Sequence, residues 1–247
     1  MTRITENTIE AFAIELLTNL GYEYIYGPDI APPFPSPGGV PEGRGGQSPS
    51  DGAMPEGPAS TFPSSGGARG GKDTRESYSH PLLLPRLTTA IKTINPSIPP
   101  DAQAEAIKEI QRIASPELLT NNETFHRLLT EGVPVSKRVD GDDRGDRVWL
   151  IDFKNPHNND FVVANQFTII ENGNNKRPDV ILFVNGIPLV VMELKNAADQ
   201  NTTIHSAFKQ VETYKAIIPG LFTYNGFVVI SDGLEAKAGS ISSDRKS

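Results

Sequence analysis

The sequence lacks cysteine and contains no long apolar run. With no cysteine among its 247 residues, disulfide bonds and cysteine-based zinc sites are excluded, which is compatible with a reducing compartment. No apolar stretch approaches the roughly 18 residues that a membrane helix requires, and no signal-peptide pattern opens the chain. We therefore expect a cytoplasmic protein that does not engage a membrane.

An excess of basic residues is also lacking. The formal net charge is −7, whereas a protein that coats DNA is usually basic. A protein that contacts nucleic acid on one face remains compatible with this charge, because only that face needs to be basic and a bound metal ion can supply further positive charge. The pair Lys176-Arg177 is a candidate for such a phosphate contact.

One segment differs from the rest in composition. Residues 32–71 contain nine prolines and eleven glycines. Such a segment cannot bury enough apolar surface to offset the entropy lost on ordering. We therefore predict a disordered insertion at residues 32–76 within a single domain that covers residues 1–247.

Two apolar runs predict a central β-hairpin. Residues 180–184 and 187–194 are rich in Val, Ile, Leu and Phe, and Asn185-Gly186 between them is a strong hairpin signal. Both alternating sets of residues are apolar, which is typical of a sheet covered on both faces. Glu193 and Lys195 end the second run and share one face, because they are two residues apart.

The register of this hairpin decides whether Asp179 joins the other two charges. A strict two-residue turn would place Asp179 opposite Met192, on the wrong face. We predict an odd-length loop or a bulge at Gly186, which would bring Asp179 to the side of Glu193 and Lys195. Alternatively, Asp179 lies before the regular strand and bends inward.

Two carboxylates and an ammonium group at the ends of paired strands suit metal-dependent hydrolysis of phosphodiesters. Asp179 and Glu193 would hold a hard divalent cation through oxygen, and Lys195 would orient a water or stabilise developing negative charge. The alternative is that all three merely solvate the sheet end. That alternative fits Glu193 poorly, because it follows an unbroken apolar run and an unpaired buried carboxylate is costly.

A helix after the hairpin could add to this site. Apolar residues recur at helical spacing over residues 202–217. Gln210 and Tyr214 are four residues apart and therefore lie on one face of that helix, where they could reach a phosphate or support Lys195. An ordinary amphipathic helix with a tyrosine at its margin is the alternative.

The N-terminal helix contributes two further site candidates. It is predicted from Glu6 to Leu20, with Thr5 as its N-cap and Gly21 ending it. On a helical wheel Glu6 lies about 50° and Glu10 about 90° from the centre of the apolar stripe. An acidic first turn that stabilises the helix dipole is the alternative role for Glu6. The stripe consists of Ile9, Phe12, Ala13, Leu16, Leu17 and Leu20.

Further elements complete the predicted architecture. Helices are predicted over residues 82–94, 101–113 and 120–131, and strands over residues 148–153, 161–170 and 227–231. Together these elements predict an α/β fold, borderline with α+β, in which helices flank a mixed central β-sheet.

The core residues resemble those of the PD-(D/E)xK nucleases. More narrowly, the chain resembles the N-terminal nuclease domain of the restriction (R) subunit of type I restriction-modification enzymes. The resemblance covers nearly everything outside residues 32–76. It rests on Asp179, Glu193-Leu194-Lys195, Val184-Asn185-Gly186-x-Pro188-Leu189, Gln210-x-x-x-Tyr214, Asn165-Gln166-Phe167 and Ile230-Ser231-Asp232-Gly233.

This resemblance implies a restriction-endonuclease-like fold and a metal-dependent nuclease that cleaves double-stranded DNA. Asp179 and Glu193 would be the Mg²⁺ ligands, and Lys195 would position the attacking water. Gln210 and Tyr214 match the extra motif of RecB-like nucleases, and related enzymes often have a glutamate on the first helix, as at Glu6.

The resemblance also implies partners. The modification and specificity subunits of a type I complex would bind the parent enzyme, and ATP would act only through motor domains that this chain does not contain. We therefore expect an N-terminal fragment or a truncated product. Two other functions remain open: a free-standing nuclease of defence or repair, and a non-catalytic docking module for the modification complex.

Overall fold

The computed structural model describes residues 5–30, 32, 74–139, 142–196 and 204–243. Its helices are α1 (Glu6–Asn19), α2 (Leu84–Ile94), α3 (Pro100–Gln111), α4 (Leu118–Glu131), α5 (Ile204–Ile217) and α6 (Pro219–Thr223). Its strands are β1 (Glu23–Tyr26), β2 (Val133–Val139), β3 (Asp142–Val148), β4 (Phe161–Asn165), β5 (Ile169–Glu171), β6 (Asn174–Lys176), β7 (Val180–Val184), β8 (Ile187–Leu194), β9 (Phe227–Ser231) and β10 (Ala236–Gly239). In these ranges no helix has the length and apolar character needed to cross a membrane.

Six of the strands form a mixed central sheet in the order β1-β4-β7-β8-β9-β10. β1 pairs parallel to β4, and β8 pairs parallel to β9. The remaining neighbours are antiparallel. The predicted α/β fold with a mixed central sheet flanked by helices is confirmed, and it is compatible with a restriction-endonuclease-like core.

Helices cover both faces of the hairpin β7–β8, as its doubly apolar pattern predicts. On one face, Ile14 of α1 packs with Val180 and Leu182. On the other face, Ile181 belongs to the cluster that contains Val211 of α5. A second cluster, at the turn end of the hairpin, joins α2, α3 and α4 to the base of the β2–β3 ribbon. The opposite end of the hairpin, where β8 finishes, therefore lies away from these three helices.

The N-terminus of α1 follows the predicted capping, but its apolar stripe is only partly buried. The Thr5 side chain accepts a hydrogen bond of 3.3 Å from the Thr8 amide. Phe12, Leu16 and Leu20 are exposed, which corrects the predicted stripe. The helix packs against the sheet through the face that carries Ile14. The apolar stripe predicted from helical spacing is therefore wider than the surface that the sheet covers.

The register of β7 and β8 contains the predicted shift, at a different position. The turn has two residues, Asn185 and Gly186, both with positive φ (54° and 77°). The shift falls farther along β8 and leaves Leu189 as an extra residue. The prediction of an odd-length loop or a bulge at Gly186 was therefore wrong in place, although its consequence for Asp179 holds.

Close packing explains why the turn stays tight and the bulge forms later. A Cβ on Gly186 would lie 2.5 Å from the carbonyl oxygen of Leu83, so α2 is pressed against this turn. The carbonyl of Leu189 instead accepts hydrogen bonds from the Gly226 amide at 2.7 Å and from Asn225 Nδ2 at 3.2 Å. These donors satisfy a bulged carbonyl that is outside the regular ladder.

Two predicted strands differ from those in the structure. The strand predicted over 161–170 is divided, because Gln166 has a φ of 53° and turns the chain. The strand predicted over residues 148–153 was wrong, because it shares only Val148 with β3 and residues 149–153 form no strand. Beyond Val148, Asn95 bonds both the amide and the carbonyl of Trp149, at 2.8 and 2.9 Å. Side-chain partners therefore replace a strand partner there.

Most of the predicted insertion, residues 33–73, lies outside the described residues. Near its predicted end, Arg75 is buried. The Arg75 guanidinium stacks 3.9 Å from the centre of the Phe167 ring and donates to the carbonyl of Thr168. Arg75 thus belongs to the folded core.

Candidate active site

The end of the β7–β8 hairpin brings the three predicted catalytic residues together. Val180 pairs with Met192, so Asp179 lies opposite Glu193 at the adjoining position. The backbone amide of Leu194 donates a hydrogen bond of 2.7 Å to Asp179 Oδ2. This bond holds the Asp179 carboxylate against the end of β8.

Glu193 is the most deeply buried acid of this group, with 1% of its surface exposed. Its Oε1 accepts a hydrogen bond of 2.7 Å from Lys195 Nζ. Its Oε2 is buried and has no hydrogen-bond partner within the described part of the chain. An unsatisfied buried carboxylate oxygen is costly and is commonly explained by an absent ligand or by function.

Asp179 and Glu193 have raised pKa values, which indicates too little positive charge around them. Burial, followed by the negative charge of Asp179, raises the pKa of Glu193 to about 7, against a smaller lowering by Lys195. Burial also raises the pKa of Asp179. Burial alone would lower the pKa of Lys195, but its contacts with these acids raise it. Two carboxylates share one ammonium group, so further positive charge would stabilise their ionised forms.

This donor set fits a divalent cation. No group of three or more histidine, aspartate and glutamate side chains in the described ranges is arranged as a metal-binding cluster. The predicted set is smaller, because it uses the carboxylates of Asp179 and Glu193 alone. Carboxylate oxygens are the preferred ligands of Mg²⁺, which usually takes one or two of them and keeps several waters. The buried, unsatisfied Oε2 of Glu193 supports this fit.

Gln210 and Tyr214 lie on the face of α5 that approaches Glu193. Gln210 Nε2 donates to the Tyr214 hydroxyl oxygen at 2.9 Å. Burial, and then the nearby charge of Glu193, raises the pKa of Tyr214. Interaction with the Tyr214 hydroxyl in turn lowers the pKa of Glu193. The two residues therefore form a polar support behind the carboxylate.

Glu6 and Glu10 approach the same end of the sheet from α1. Glu6 Oε1 lies 3.9 Å from Lys195 Nζ. Glu10 Oε1 accepts a hydrogen bond of 2.6 Å from Asn165 Nδ2. Burial raises the pKa of Glu10, and the charge of Asp179 adds to this effect. The seven predicted site residues thus lie near the end of the sheet where β8 finishes.

Asn165, Gln166 and Tyr24 were not predicted to be parts of this site, although Asn165 and Gln166 belong to a motif that carries the family resemblance. Asn165 is buried, accepts a hydrogen bond of 3.0 Å from the Tyr24 hydroxyl and donates to Glu10. The available signal was the pair of amide side chains, Asn165 and Gln166, at the end of an apolar run. Both residues were placed in the middle of the strand predicted over residues 161–170.

A cavity of about 260 Å³ lies elsewhere, among α5, β9 and β10. It is lined by residues that include Phe208, Lys215 and Lys237, on a different face of α5 from Gln210 and Tyr214. The carboxylate site at the end of β7 and β8 is therefore not part of this cavity.

Comparison with known proteins shows the family to which the chain belongs. Residues 61–247 match the family model described as type I restriction enzyme R protein N terminus. The chain belongs to this family. It is 34% identical over 242 residues to the type I restriction enzyme HindI endonuclease subunit of Haemophilus influenzae, which covers 98% of this chain. It is 32% identical over 239 residues to the putative type I restriction enzyme MjaIXP endonuclease subunit of Methanocaldococcus jannaschii, which covers 96% of this chain.

The match to these R proteins is a match to one part of each. The chain spans 20% of the Haemophilus protein and 19% of the Methanocaldococcus protein. A Staphylococcus aureus type I endonuclease subunit matches at 34% identity over 135 residues, which is 53% of this chain and 13% of that protein. The resemblance seen in the sequence is therefore confirmed for the N-terminal part of R proteins.

Proposed function

We propose that this chain is a Mg²⁺-dependent endonuclease module that hydrolyses phosphodiester bonds of double-stranded DNA as part of a type I restriction-modification R subunit. The observation that carries the proposal is the facing pair Asp179–Glu193, with its buried unsatisfied oxygen and a lysine two residues along the strand. Membership of a family whose relatives are named endonuclease subunits supports the same activity.

Each side chain has a distinct part in the proposed mechanism. Asp179 and Glu193 hold the cation, which when bound supplies Lewis-acid chemistry at the scissile phosphate. The Lys195 ammonium, fixed by Glu193 at 2.7 Å, orients the attacking water and stabilises negative charge that develops on the phosphate. Gln210 and Tyr214 keep Glu193 oriented toward the cation.

The wider setting is part of the proposal. Modification and specificity subunits would assemble with the parent R subunit, and ATP would act through motor domains outside the residues of this chain. A cytoplasmic location remains a prediction. A free-standing nuclease and a non-catalytic docking module remain the competing functions, and only the second of these predicts that the carboxylates bind no metal.

The test is titration calorimetry with Mn²⁺ and Mg²⁺ at pH 8, on the wild type and on Glu193→Gln. We expect wild-type binding and its loss in the variant, with nicking of supercoiled plasmid measured on the same samples. Glu105→Gln is a matched control, because Glu105 forms a surface ion pair with Arg112 on α3, away from the site. Equal binding by wild type and Glu193→Gln, or no binding by either, would leave the docking module as the better function.

A further inference from the structure

Gln166 has an unusual backbone conformation at the edge of the site. Within the described residues, positive φ outside glycine occurs at Gln166 (53°), Asn172 (50°) and Asn185 (54°). Asn172 and Asn185 each precede a glycine in a two-residue hairpin turn, where asparagine is a common choice. Gln166 follows β4 outside any such turn, and glutamine is not favoured there. Backbone strain of this kind accumulates at functional sites.

The strained conformation has a geometric consequence. Successive side chains of an extended strand point to opposite faces, so Asn165 and a regular Gln166 would diverge. In the structure both reach the same carboxylate. Asn165 Nδ2 donates to Glu10 Oε1 at 2.6 Å, and the Gln166 side chain lies close enough to the same carboxylate to lower its pKa.

Tyr24 and Gly27 stabilise the positions of Asn165 and Gln166. The Tyr24 hydroxyl donates to Asn165 Oδ1 at 3.0 Å, which orients the Asn165 amide so that its nitrogen faces Glu10. A Cβ on Gly27 would lie 2.3 Å from the carbonyl oxygen of Asn165 and 2.6 Å from the carbonyl carbon of Gln166. The chain segment that carries the two amides is therefore seated directly against a glycine.

Glu10 needs such support because of its surroundings. Its carboxylate lies within the influence of two other acids, Asp179 and Glu6, which repel it. A glutamate side chain has enough freedom to turn toward water, away from like charge. Two amide donors oppose that movement and keep the carboxylate beside Asp179.

We propose that Asn165 and Gln166 are positioning residues that clamp the Glu10 carboxylate on the side of Asp179, where it would accept hydrogen bonds from waters bound to a divalent cation held by Asp179 and Glu193. This inference rests on the proposed function. It assigns to the strained Gln166 a role in metal affinity rather than in stability, and that distinction makes it testable.

The decisive variant is Gln166→Gly, which removes the clamp side chain and relieves the positive φ. Asn172→Gly is the matched control, because it relieves the same conformation in the β5–β6 turn. We expect Gln166→Gly to weaken Mn²⁺ affinity about 10-fold in calorimetry, without lowering the midpoint of metal-free thermal unfolding. The Asn172→Gly variant should bind Mn²⁺ as the wild type does.

A double-mutant cycle with Glu10→Gln tests whether Gln166 acts through Glu10. We expect Gln166→Gly to have no further effect on Mn²⁺ affinity once Glu10 is neutral. An equal loss in both backgrounds, or wild-type affinity in Gln166→Gly, overturns the clamp while Glu193→Gln still abolishes binding. If the wild type binds no Mn²⁺, the proposed function and the clamp are both overturned.

Discussion

Asp179 lies opposite Glu193, and the backbone amide of Leu194 ties Asp179 to the end of β8 at 2.7 Å. This relationship depends on one extra residue, Leu189, because a regular ladder from the Asn185-Gly186 turn would set Asp179 opposite Met192. The donors that hold the Leu189 carbonyl come from the loop before β9. The geometry of the candidate site is therefore set by contacts at the far end of the same hairpin.

The stability of the metal-free protein should depend on Glu193 and on pH. The pKa of Glu193 is raised to about 7 in the folded state, so between its ordinary value near 4.5 and about 7 the folded protein binds the extra proton. Stability therefore falls as pH rises through this window. We expect Glu193→Gln to be more stable than wild type at pH 8 by about 3 kcal/mol, measured by urea unfolding with a chelator.

The difference should shrink toward pH 5, because Glu193 is then protonated in the wild type. Saturating Mg²⁺ at pH 8 should stabilise the wild type and leave Glu193→Gln unchanged. An equal response of both proteins to Mg²⁺ would contradict the assignment of Glu193 as a ligand.

Replacement of Lys195 should separate metal binding from cleavage. In Lys195→Ala the two carboxylates lose their shared cation, so their pKa values rise and Mn²⁺ binding should require a higher pH. At pH 9 we expect near wild-type affinity in calorimetry, while plasmid nicking falls about 100-fold. Lys209→Ala, an exposed lysine on α5, should change neither property. Full nicking by Lys195→Ala would show that Lys195 only pairs with Glu193.

Removal of the Tyr214 hydroxyl should affect the site as well as stability. Tyr214→Phe leaves Gln210 Nε2 without its acceptor at 2.9 Å, and we expect a loss of about 1 kcal/mol in urea unfolding. Because the hydroxyl lowers the pKa of Glu193, Mn²⁺ binding should also shift to higher pH.

The matched control for this variant is Tyr224→Phe. Its buried hydroxyl donates to the carbonyl of Ile110 at 3.1 Å, in the helical cluster away from the site. We expect a similar loss of stability and an unchanged pH dependence of Mn²⁺ binding. If the two variants bind Mn²⁺ alike, the polar support assigned to Tyr214 does not exist.

Arg86 offers the converse case, a residue important to stability alone. It is buried and contacts both carboxylate oxygens of Asp160 at 2.8 and 2.7 Å, and Glu23 at 3.1 Å. Arg86→Met removes the shared cation of Asp160 and Glu23, whose side chains are 35% and 46% exposed, and should destabilise the fold by about 1 kcal/mol. Mn²⁺ affinity at 10 °C, where the variant is folded, should match the wild type, because Asp160 lies at the turn end of the hairpin. Weaker binding would indicate coupling between the two ends.

Local sequence patterns determined a large part of this protein. The capping by Thr5, the hairpin at Asn185-Gly186 and the doubly apolar strands follow from interactions within a few residues. The chemical set of Asp179, Glu193 and Lys195 could likewise be read directly, because a charge that interrupts a buried strand end is conspicuous in the sequence.

Tertiary structure decided the strand register and the side-chain positions that depend on residues far apart in the chain. The bulge at Leu189 needs donors from residues 225 and 226, and the turn of the chain at Gln166 needs the space left by Gly27. The exposed Phe12 shows the same limit, since periodicity identifies an apolar side chain but not the surface that covers it. The sequence by itself therefore determined which groups are present in the site. Packing between segments far apart in the chain determined their register and orientation, because those contacts leave no local pattern.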